Sequence, residues 1–194
     1  MRKFPLAKIV GVAALPAAVI VSGLLVFGGS TAAFSGTTSN EGNTWSAGSI
    51  QLTNNQASAL FTASNIAPGY SETHCITINS TSTIPTNLKM YAANVTGTGT
   101  TDTLDANLNV TVTPGVGGTD SDCTGFTASG PAAFSGDLKS FGATSKDYST
   151  GVGSVALPAS ASAQYQITVG LPSSAPNSLQ GTTAGASFVW EAQN

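Results

Sequence analysis

The sequence predicts an all-β domain, a sandwich or barrel of antiparallel strands, behind an N-terminal export signal. Three observations lead there. Helical periodicity is nearly absent beyond residue 33. Thr, Val and Ile are abundant in that region, and turn residues recur about every ten positions, the rhythm of short antiparallel strands. Several segments alternate apolar and polar residues with period 2, which gives one buried and one wet face.

The elements follow in order. Thr44–Leu52 reads as an extended segment. Ala59–Ser64 reads as a short apolar strand, stopped by the Pro68-Gly69 turn. Ser71–Asn79 alternates, with Ile76 and Ile78 on one face opposite Thr77. Asn87–Val95 places Leu88, Met90 and Ala92 on one side. Leu104–Thr113 places Leu104, Leu108, Val110 and Val112 at even spacing. Pro114–Ser129 reads as a Gly, Asp and Thr loop, and Phe134–Phe141 as ambiguous, one or two helical turns being possible. Ala163–Leu171 aligns Tyr165, Ile167 and Val169. Ala186–Ala192 is the last strand, with Phe188 and Trp190 on one face and Val189 on the other.

The N-terminus has the three parts of a signal peptide. Arg2, Lys3 and Lys8 form the basic region, and an uncharged apolar run spans Ile9–Phe27. The stretch GGSTAAFS supplies the small residues a signal peptidase needs at positions −3 and −1. Cutting after Ala33, before Phe34, uses Thr31 and Ala33; cutting after Ala32 is the competing site. The alternative is a retained anchor, because the 19 residues of Ile9–Phe27 are about enough to cross a bilayer. Pro16 and Gly28-Gly29 weigh against a continuous span. The expected organisation is therefore a signal at 1–33, an N-terminal extension at 34–43 and a single β domain at 44–194. The signal segment is the only expected contact with a membrane, before cleavage.

Removing 33 of 194 residues leaves 161, one domain large enough to bury roughly two thirds of its unfolded surface. Three lysines (Lys89, Lys139, Lys146) then stand against nine acidic residues, a net charge of −6. Nothing basic remains to hold a phosphate backbone, so nucleic acid is not an expected partner. Two cysteines remain, Cys75 and Cys123. In an exported chain an even count reads as a disulfide, the alternative being two buried thiols.

Catalytic constellations are missing. The sole histidine, His74, excludes a zinc site of the HExxH type, which needs two imidazoles one helical turn apart. On an alternating strand beside Cys75 it is expected to face solvent. Neighbours on a strand point to opposite faces, so Cys75 and His74 make a poor nucleophile and base. Asp102 with Asp105, and Asp120 with Asp122, are the only close carboxylate pairs. The Asp120-Ser121-Asp122 run lacks the Gly and terminal Glu of an EF-hand loop and reads as a solvated acidic loop. No catalytic residue, metal or cofactor is expected. Sequons at Asn79, Asn94 and Asn109 arise readily in a chain this rich in Asn and Thr.

Four blocks, in the order GGSTAAFS, TWSAGSIQL, SNIAPGYSET and SLQGTTAGASFVWEAQ, together resemble the TasA/camelysin family of exported proteins. Trp45 stands at that family's aromatic position before Ala-Gly. Asn65-Ile66 with Pro68-Gly69 match its turn, Leu179-Gln180-Gly181 its Y-Q-G block, and Glu191-Ala192-Gln193 its final strand. Tyr70 replaces the usual acid and Leu179 the usual Tyr. The resemblance implies a jelly-roll β-sandwich, export through a SipW-type signal peptidase, and service as a structural subunit of a fibre or biofilm matrix. Its partners would be other copies of itself. The mature N-terminal segment Phe34–Asn43 would add as a strand to the next subunit, with Phe34 as apolar anchor. The competing readings are a surface metalloprotease, as camelysin-like members have been described, and a membrane-anchored adhesin with an uncleaved signal.

Overall fold

A computed structural model describes residues 47–56, 58–120 and 122–194. The signal segment, the cleavage residues Ala33 and Phe34, and the 34–43 extension lie outside the described residues.

Two antiparallel sheets pack face to face as an all-β sandwich. The strands are β1 (Leu52–Asn54), β2 (Ser71–Ser80), β3 (Thr86–Gly97), β4 (Asn109–Val116), β5 (Thr127–Ala128), β6 (Phe134–Asp137), β7 (Val152–Leu157), β8 (Ser162–Gly170) and β9 (Ala184–Gln193). One helix, α1 (Leu138–Thr144), follows β6 directly. The large sheet runs β1-β2-β8-β4-β5, with β6 also on β4, and the small sheet runs β7-β3-β9. β2 pairs with β8 in the large sheet, while their chain neighbours β3 and β7 pair in the small one. This nesting of one ribbon inside another is the jelly-roll winding, with β9 added outside β3.

The alternating segments supply the core. Ile76 and Ile78 of β2, Val110 and Val112 of β4, and Tyr165 and Ile167 of β8 face Leu88, Met90 and Ala92 of β3; all are buried. Phe141 of α1 is buried among them, against Phe134 at 4.5 Å between ring centroids. The helix starts where the Asp137 side chain accepts from the Ser140 N–H at 2.8 Å, which satisfies a donor the helix itself leaves unpaired.

The outer face of the large sheet is polar, as the period-2 pattern requires. Thr73, Thr168 and Thr111 lie side by side across β2, β8 and β4, and the hydroxyls of Thr73 and Thr168 are 2.8 Å apart. Cys75 lies on this outer face, yet it is fully buried. It is bonded to Cys123 in the connection between β4 and β5, with 5.2 Å between the Cα atoms. The bridge folds that connection over the sheet. Gly118 lies there because a Cβ at that position would stand 3.2 Å from the Cys75 Sγ and 3.0 Å from Phe126.

Four expectations need correction. Ala59–Ser64 is not a strand: Leu60 and Phe61 pack against the core from an irregular segment, and among the described residues their backbone has no ladder partner. The first strand starts only at Leu52, within the segment read as extended from Thr44. Leu104–Ala106 is a 3-10 turn, and the strand begins at Asn109, because Leu104 turns into a second apolar cluster with Leu171 and Leu179. The Pro114–Ser129 loop is shorter than expected, since β4 runs on to Val116 and β5 pairs with it. β7 has no period-2 signature. Gly153, at φ +64, interrupts it where the pairing with β3 shifts register.

Candidate assembly edge

Two of the four resemblance blocks, SNIAPGYSET and SLQGTTAGASFVWEAQ, far apart in sequence, meet in space. Ile66 and Tyr70 of the Pro68-Gly69 turn pack against Leu179 and Leu171 in the second cluster. The turn itself closes with the Tyr70 N–H on the Ala67 carbonyl at 3.0 Å, and Gly69 takes φ +92, a region open to glycine. Glu191 accepts from the Tyr91 hydroxyl at 3.1 Å, and the Gln193 amide donates to Glu191 at 2.7 Å. These two hydrogen bonds brace the C-terminal end of β9.

Among the described residues β9 pairs only with β3. Ten residues therefore present a second row of backbone donors and acceptors without a ladder partner there. On the same side of the sandwich β1 covers only Ile78–Ser80 of β2. The gap between the two sheet edges is a groove of about 320 Å³, lined by Ile76, Leu60 and Phe61 on one side and Ser187, Phe188 and Trp190 on the other. The Phe61 ring meets Phe188 edge-on at 6.3 Å. The Trp190 Nε1 is buried and has no hydrogen-bond partner among the described residues. A buried indole N–H normally finds an acceptor, so this site lacks one.

His74 packs on Phe61, one of the residues lining the groove, instead of facing solvent as expected. It shares the inner face with Ile76 because period 2 places positions 74, 76 and 78 together. Its side chain is 24% exposed, its Nε2 lies 2.6 Å from a Glu72 oxygen, and its ring meets Phe61 edge-on at 5.0 Å. Glu72 also accepts from the Tyr70 hydroxyl. The Tyr70 and His74 hydrogen bonds hold the Glu72 carboxyl below its ordinary range. Partial burial, then Glu72, pushes the Tyr70 phenol up to about 12.

The remaining sequence-selected residues have structural roles. Cys75 and Cys123 form the disulfide, which fits an oxidising compartment. Asp120 accepts from Thr77, and Asp122 from Thr119 and the Thr124 N–H, so both brace the bridged loop. Among the described residues no group of three or more His, Cys, Asp or Glu side chains is placed to share a metal ion, and no helix is long and apolar enough to cross a membrane. The Asn79, Asn94 and Asn109 side chains are exposed. Local pattern located β9 but missed its edge position, which depends on strand order, and the Trp190 donor, which depends on packing. The chain matches no protein-family model and no curated protein.

Proposed function

We propose that the chain is a secreted structural subunit of an extracellular fibre or matrix, of the TasA/camelysin kind, assembling by strand addition between copies. Phe34–Asn43 of one copy adds along β9 of the next, once a SipW-type peptidase has cut after Ala33. The ten-residue edge of β9, unpaired among the described residues, carries this reading. An added strand gains main-chain hydrogen bonds along that row, and one of its carbonyls supplies the acceptor that Trp190 Nε1 lacks. The Phe34 ring is the one large apolar side chain in the segment FSGTTSNEGN, and it fills the groove beside Phe61 and Phe188. The small residues that follow let the strand lie close to the sheet.

Electron microscopy of the exported protein tests this. Filaments are expected from the intact chain and none after deletion of residues 34–43. Ser187 is exposed at the groove, so Ser187→Lys leaves the fold intact and blocks the edge, as lysines do on natural edge strands. A chain that stays monomeric at every concentration and pH tried contradicts the reading.

A further inference from the structure

A second cleft, of about 510 Å³, opens where α1 packs on β3. Its floor is made by small residues: Gly142 sits so close to Val95 that a Cβ would stand 2.5 Å from it. Lys139, on the first turn of α1, and Lys146, just beyond the Ser145 cap that ends it, both line the cleft. They are two of only three basic side chains among the described residues. Asp105 also lines the cleft. It is 7% exposed, and its Oδ1, packed against Gly97, has no hydrogen-bond partner among the described residues. Asn94 completes the rim, held at φ +53 where β3 shifts register against β9.

Lys139 and Lys146 act on their neighbours Asp137 and Asp147 only at longer range. The one ion pair among the described residues is Glu72 with His74, so neither lysine and not Asp105 has a partner of opposite charge within 4.0 Å. A buried carboxylate with an unsatisfied oxygen destabilises a fold. Its presence beside two ammonium groups that make no ion pair within 4.0 Å, in a chain with few charges, points to a ligand that answers both signs. A metal ion is disfavoured, since a single carboxylate beside two cations is a poor cation site. A bare anion is disfavoured by Asp105.

We propose that this cleft binds a small carboxylate that carries hydrogen-bond donors beside it, the shared chemistry of a uronic acid and an acidic amino acid. The ligand carboxylate rests on Lys139 and Lys146. A ligand hydroxyl or ammonium group donates to Asp105, and the Asn94 amide holds a further polar group. This site is separate from the β9 edge and does not depend on strand addition.

The test is a titration of the exported, isotope-labelled protein at neutral pH and constant ionic strength, followed by amide NMR. The probes are sodium glucuronate, sodium glutamate, glucose and sodium acetate. Saturable shifts at Asn94, Asp105 and Gly142 with glucuronate or glutamate support the site, and whichever binds tighter identifies the source. The Lys139→Ala/Lys146→Ala variant weakens that binding about tenfold or more, the loss expected for charge-assisted hydrogen bonds. Asp105→Asn also weakens it about tenfold, yet raises the thermal midpoint, because it removes a buried charge. Absence of saturable shifts with both probes overturns the proposal. So does acetate binding as tightly as glucuronate, or affinity unchanged in both variants.

Discussion

The phenolic hydroxyl of Tyr165, fully buried in β8 of the large sheet, donates to the carbonyl of Gly153 in β7 of the small sheet at 2.8 Å. Few polar contacts cross the interior of a sandwich whose other inward side chains are mostly apolar. This one joins the centre of one sheet to the interrupted strand of the other. A Cβ at Gly153 would stand 2.8 Å from the Tyr165 ring, so glycine and tyrosine are matched there. Tyr165→Phe leaves the packing and strands the Gly153 carbonyl. The expected loss is about 1–3 kcal/mol, the cost of a buried unsatisfied acceptor, read from urea unfolding with an unchanged slope.

The same residue sets an alkaline limit. Burial pushes the Tyr165 phenol far above its ordinary range. A group whose folded pKa is raised contributes stability in full below its unfolded value, about 10, and loses it as pH rises toward the folded one. Tyr70, raised to about 12, acts in the same direction. Unfolding midpoints should therefore fall above about pH 10, and Tyr165→Phe should flatten that fall. An alkaline limb identical in the variant would refute the assignment.

Glu72 acts at the other end of the scale. Its folded pKa is depressed, first by the Tyr70 hydroxyl and then by His74. Its contribution is present above the unfolded value of about 4.3 and disappears as pH falls through the lower folded value. The stability difference between the natural protein and Glu72→Gln should be largest near neutrality and shrink below about pH 4. Its side chain is one-third exposed, so solvent screening keeps that difference small.

The disulfide and Gln164 hold the same loop. The Gln164 side chain, 7% exposed, accepts from the Gly118 N–H at 2.6 Å and donates to the Gly118 carbonyl. A bridge closing 48 residues is worth up to about 4 kcal/mol in the chain-entropy description. Replacing both cysteines by serine should cost about 2–4 kcal/mol and expose the 117–126 connection to proteolysis. Gln164→Ala should leave the bridge intact and speed hydrogen exchange at Gly118.

Much of this fold was legible because period-2 patterning has a direct physical cause. Ile76 with Ile78, Leu88 with Met90, and Val110 with Val112 all reach the core on the faces expected. The pattern failed where burial came from something other than a sheet face. Cys75 is buried on the outer face by its own disulfide loop, and Leu60 and Phe61 plug a gap without forming a strand. His74 was placed in solvent on its strand beside Cys75, although its position in the alternation sets it beside Ile76. The β9 edge and the Asp105 cleft were not legible at all. Both arise from which elements become neighbours, and no local pattern records that.

Hydrogen exchange along β9, compared between dispersed and assembled protein, tests strand addition most directly. The account predicts that filaments form and that the outward-facing amides of Ala184–Gln193 become strongly protected on assembly. It predicts neither filaments nor protection when residues 34–43 are removed or Ser187 is lysine. Filaments whose β9 amides exchange as fast as in the dispersed protein would contradict it, as would normal assembly without residues 34–43.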